Sequence, residues 1–93
     1  MTAISGQKTI SAAGTAEAVG TALIHGPLMI KALLGNTGNV YIGNDGAGDV
    51  TLGNGIELDA GEVAIFNHVG SLSSLILDVG TNDDGVSWMA LNV

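Results

Sequence analysis

"GNTGNVYIGNDGAGDVTLGNG", residues 35–55, sets seven glycines and four asparagines around one short apolar run. Such a stretch is either a cradle for a phosphate or a metal ion, or a series of tight turns between strands. A phosphate cradle needs backbone N–H groups at the start of a helix, usually with a Lys that reaches the phosphate. Gly43, Gly46 and Gly48 are in the wrong order for a dinucleotide fingerprint, no Lys follows them, and no helical periodicity comes after. Gly and Asn tolerate positive φ and Asp bonds its own backbone, so the same residues are suited to reversing the chain. The stretch reads as turns.

Outward from it, further turn clusters stand at short intervals, "DAGE" at 59–62 and "NDDG" at 82–85. Between the clusters the apolar residues alternate with period two. Leu75, Leu77 and Val79 oppose Ser74, Ile76 and Asp78; Val63 and Ile65 oppose Ala64 and Phe66; Val86, Trp88 and Ala90 oppose Ser87, Met89 and Leu91; Val40 and Ile42 oppose Tyr41. In "LMIKALL", residues 28–34, both faces are largely apolar, the signature of a strand covered on both sides. Short strands with frequent turns predict an all-β fold, an antiparallel β-sandwich or barrel of about seven or eight strands. Residues 15–24, "TAEAVGTALI", stay open between a short helix capped by Thr15 and a strand, because Gly20 interrupts the Ala-rich run. Residues 1–14 read as an N-terminal arm or first strand, and 15–93 as a single β-domain.

The chain has 93 residues, no Cys, one residue each of Trp, Tyr and Phe, and is 46% apolar against 12% charged. A domain of this size buries only about 60% of its unfolded surface. Without disulfides or thiolate metal sites, association with other chains is the remaining means of covering its apolar surface. The net charge is −7, with Lys8 and Lys31 as the only cations, which argues against nucleic acid and anionic lipid as partners. "MTAISGQKTISAAG" lacks the basic start and apolar middle of a secretory signal. The most apolar segment, residues 19–35, is shorter than the roughly 20 residues of a bilayer span and contains His25, Pro27 and Lys31. A protein that is soluble and intracellular, or assembled inside a cell, is expected.

Chemistry finds little to work with. Asp45 with Asp49, and Asp83 with Asp84, are the candidate oxygen ligands for calcium, but neither pair lies in the twelve-residue loop with its terminal Glu. Turn chemistry accounts for all four, and no cofactor or metal is expected. His25 and His68 have no nucleophile elbow or paired carboxylate beside them, so no enzymatic activity is expected. Trp88 is the largest anchor and reads as core, with a sugar-stacking platform, on Trp88 or Tyr41, as the functional alternative.

The run "IKALLGNTGNVYIGNDG" (30–46), followed by "GIELDAGE" (55–62) and "DDGVSWMAL" (83–91), resembles a pattern of small β-proteins from tailed bacteriophages, over residues 28–91. The resemblance implies a virion component, in particular a capsid decoration or cement protein that forms a homotrimer on the head exterior and binds the major capsid protein. A tail- or fibre-associated component is the alternative. It implies no catalytic residue. On this expectation Leu28, Met29, Ile30 and Leu33 are the candidate partner contacts, and the N-terminal segment is an arm ordered on binding.

Overall fold

The computed structural model describes residues 2–44, 50, 55–67 and 69–92. Among these are ten strands and one 3-10 turn (Leu72–Ser74). The strands are β1 (Thr2–Thr9), β2 (Glu17–Ala18), β3 (Leu23–Ile24), β4 (Leu28–Ala32), β5 (Val40–Gly43), β6 (Ile56–Leu58), β7 (Val63–Phe66), β8 (Gly70–Ser71), β9 (Ile76–Val79) and β10 (Gly85–Asn92). All pairs are antiparallel. One four-stranded sheet runs β1-β10-β4-β7 and a second β2-β9-β5-β6, with β3-β8 as a small two-stranded addition. The fold is all-β and β-sandwich-like, and among the described residues no sheet closes into a barrel.

The strand count exceeds expectation because β2, β3 and β8 have two residues each, too few to display a period. Residues 15–24 form no helix. The Val19 amide donates to the Leu75 carbonyl, and β2 and β3 pair with β9 and β8, so distant strands take the bonds a helix would have made locally. Residues 2–9 are β1, paired along their whole length with β10, and are not an unpaired arm in the single chain.

The core lies between the two large sheets. Leu28, Ile30, Ala32, Val86 and Ala90 from the first meet Val40, Ile42, Leu58, Leu77 and Val79 from the second. Lys8 of β1 bridges the sheets through its Nζ, 2.9 Å from Oε1 of Glu17 in β2. Both side chains are partly exposed, so the pair contributes at most about 1 kcal/mol. Burial of each large aliphatic contributes about 1.5–3 kcal/mol and dominates.

Two sequence expectations are corrected here. β4 is central in its sheet, yet only one of its faces is covered: Leu28, Ile30 and Ala32 are buried while Met29 is 43% exposed. Asp78, expected on an open face, is 1% exposed, and its Oδ1 accepts from the amides of Gly14 and Val79. The segment around Gly14 therefore covers part of the second sheet's outer face.

Ile30→Ala is expected to cost about 2–5 kcal/mol, and Met29→Ser about 0.5 kcal/mol or less. Urea unfolding of the two variants would separate a core from a surface position on the same strand.

Candidate functional site

The glycine- and asparagine-rich turn before β5 does hold a carboxylate, and it is the chain's own. The amides of Thr37 and Gly38 donate to Oδ1 and Oδ2 of Asp84 at 3.0 and 2.8 Å. Beside them the Asn36 side chain donates to the Gly85 carbonyl at 2.9 Å and accepts from the Gly85 amide at 3.0 Å, as a neighbouring strand would. Asp84 is 5% exposed, and charge-assisted bonds to backbone amides satisfy it there. The turn thus spends its anion-binding amides on an internal tie between residues 36–38 and 84–85. Asp83 is exposed with a φ of 71°, while the Asp84 carboxylate turns inward to those amides, so the pair is not assembled as a shared ligand set. Asp45 and Asp49 lie outside the described residues, as does His68, and His25 is exposed. Among the described residues no three His, Cys, Asp or Glu side chains gather in a metal-binding arrangement.

The aromatic residues are also committed. Trp88 is half-buried, packs against the core beside Val86 and Ala90, and lies over Gly6, where a Cβ would come within 2.9 Å of its ring. Tyr41 is buried and Phe66 is half-buried. Trp88 and Phe66 are packed against the core and Tyr41 lies within it.

Of the four expected partner contacts, Leu28 and Ile30 are fully buried in the core. They point toward the second sheet and cannot serve as surface contacts in the folded chain, which corrects that expectation. Leu33 is half-buried and its amide bonds the Gly85 carbonyl. Met29 faces outward, and the structure surrounds it with residues the sequence reading had not singled out. The register puts Met89 of β10 and Ile65 of β7 directly beside Met29 on either side, 50% and 68% exposed. Leu91 and Val63 extend this row along β10 and β7, and both are exposed. Pro27, Met29, Ile65, Met89 and Leu91 line a shallow groove of about 250 Å³. The signal was present in the outward positions of "EVAIF" and "VSWMAL", which are apolar where a solvated sheet face would be polar.

Charge sharpens the picture. None of the nine acidic residues lies in β1, β4, β7 or β10, and both lysines do. The first sheet is acid-free in a chain of net charge −7. This exposed apolar patch is the candidate interaction surface, because small monomers seldom leave such patches in water.

Comparison with models of known protein families finds no match to this chain, and comparison with curated proteins finds none either.

Asp84→Ala is expected to lower stability by about 1.5–3 kcal/mol, since it leaves two amides without their charged acceptor. Gly85→Ala should be at least as damaging, because the added Cβ would lie 2.1 Å from the Lys8 carbonyl oxygen. Thermal melts of both variants, compared with an exposed control such as Ser73→Ala, would test the tie.

Proposed function

We propose that this chain is a structural component of a tailed-bacteriophage virion, a capsid decoration protein that forms a homotrimer on the outside of the head. It holds the major capsid lattice together by binding, and carries out no reaction. The observation that carries this reading is the exposed, acid-free apolar patch that Met29, Val63, Ile65, Met89 and Leu91 form across β4, β7 and β10 on the outer face of the first sheet. A buried face of this type is what an assembling subunit gains from its neighbours, because the apolar area it leaves in water becomes favourable contact area. The order of the glycine-asparagine turn, the "GIELDAGE" turn and the "GVSW" strand, which resembles small phage β-proteins, supports the same reading. The sugar-binding alternative loses its platforms, since Trp88 and Tyr41 are packed into the fold.

The test is co-sedimentation of the purified chain with heads assembled without it. Saturable binding in many copies per head is expected, together with a higher temperature of head disruption. A Met89→Glu chain, still folded, should bind at least tenfold more weakly. Absence of binding at tens of micromolar, or saturation at only a few copies per particle, would overturn the decoration role.

A further inference from the structure

We infer that the outer face of the β1-β10-β4-β7 sheet receives the acid-bearing β6 edge of a second copy of this chain, in a head-to-tail contact that closes into a ring. This rests on the reading of the chain as a self-assembling virion protein and names the surfaces that would meet.

Two copies, each of net charge −7, repel wherever their carboxylates face each other. Among the described residues the large exposed apolar patch free of carboxylates is on the outer face of this sheet, which also carries Lys31 opposite Val63 and Ser87. The other lysine, Lys8, is held by Glu17 of its own chain. Among the described residues Lys31 makes no ion pair. A face-to-face dimer would set two acid-free faces together and give Lys31 no carboxylate from its partner. A head-to-tail contact supplies one.

The complementary surface must combine an exposed apolar side chain with a carboxylate. Among the described residues the large exposed apolar side chains outside the sheet face are Leu23, Leu34 and Ile56. Ile56 is 52% exposed, stands on β6 at the open edge of the second sheet, and is followed directly by exposed Glu57. Asn39 Nδ2 donates to Glu57 Oε2 and fixes that carboxylate on the rim. Ile56 suits the groove among Met29, Ile65, Met89 and Leu91, and Glu57 suits Lys31.

Strands about 4.8 Å apart make a four-stranded face roughly 15–20 Å wide and, over the five residues of β4, roughly 17 Å long, an area on the order of 300 Å², well below the about 800 Å² per partner of a standard interface. A single contact is therefore weak. Head-to-tail contacts close into rings in which every copy makes two, and the second contact of a closed ring is intramolecular in its cost.

The test uses light scattering coupled to size exclusion on the full chain, Met89→Glu and Ile56→Glu. Both replaced side chains are exposed, so both variants should melt within about 2–4 °C of the parent. The parent is expected to run as a ring and each variant as a monomer. An equimolar mixture should dimerise only at several hundred micromolar, well above what the parent ring needs, because it makes one weak contact between a working edge and a working face and cannot close a ring. Lys31→Glu should weaken assembly at least tenfold. A mixture that shows no association at several hundred micromolar, an Ile56→Glu chain that assembles normally, or a Lys31→Glu chain that assembles like the parent would overturn the inference. A parent that is monomeric at several hundred micromolar yet saturates capsids would sink this contact and leave the decoration reading standing. Rings that behave as described but ignore capsids would do the reverse.

Discussion

Asp84 and Gly85 are the point on which the other strands depend. Ile10, at the end of β1, exchanges backbone bonds with residues 83 and 84; Thr37 and Gly38 grip the Asp84 carboxylate; Leu33 and Asn36 bond Gly85. Three segments far apart in the chain meet at two residues. Gly85 has to be glycine, because the Lys8 carbonyl occupies the place of a Cβ. β10 begins at this junction and runs between β1 and β4, so the junction sets the register of both pairings. A slip of one residue would turn Met89 and Leu91 inward and Trp88 and Ala90 outward. The candidate surface is thus a consequence of a polar tie at the opposite end of β10.

The two large sheets are finished differently. The second sheet has part of its outer face sealed by its own chain, with Asp78 bonded to the Gly14 amide and Tyr41 buried beside it in the register. The first has no such cover over Met29, Ile65 and Met89. A small cysteine-free domain has limited means to bury 46% apolar residues. Among the described residues Met29, Val63, Ile65, Met89 and Leu91 gather on one face, with Leu23, Leu34 and Ile56 exposed elsewhere, and the strands of that face carry no carboxylate. The acidic remainder keeps separate copies apart in solution, while the acid-free sheet leaves one direction of approach without that repulsion.

Much of the architecture was legible in the residues alone. Period-two alternation in "SLILDV", "EVAIF" and "VSWMAL" marked strands, and Gly-Asn and Asp-Gly clusters marked the reversals, because both signals are local properties of backbone and side chain. The all-β class followed from them. The two-residue strands within 15–24 were not legible, since their bonds are made to β8 and β9, more than forty residues away. Asp78 was equally hidden: alternation alone placed it outward, and only the return of the chain at Gly14 buried it.

The candidate site divides along the same line. Residues 28–34 announced a strand largely apolar on both sides, from which cover on both was expected, whereas the folded chain covers only one. Which side faced the core was beyond the sequence, because Leu28 and Ile30 on one face and Met29 on the other are alike in hydrophobicity, and no local rule ranks them. Tertiary structure decided: the second sheet packs on Leu28, Ile30 and Ala32, and leaves Met29 to join Met89 and Ile65 across two strand pairings. Composition and alternation are carried by each residue and its neighbours, whereas the assembly of a surface from three strands depends on register, which exists only once the strands have paired.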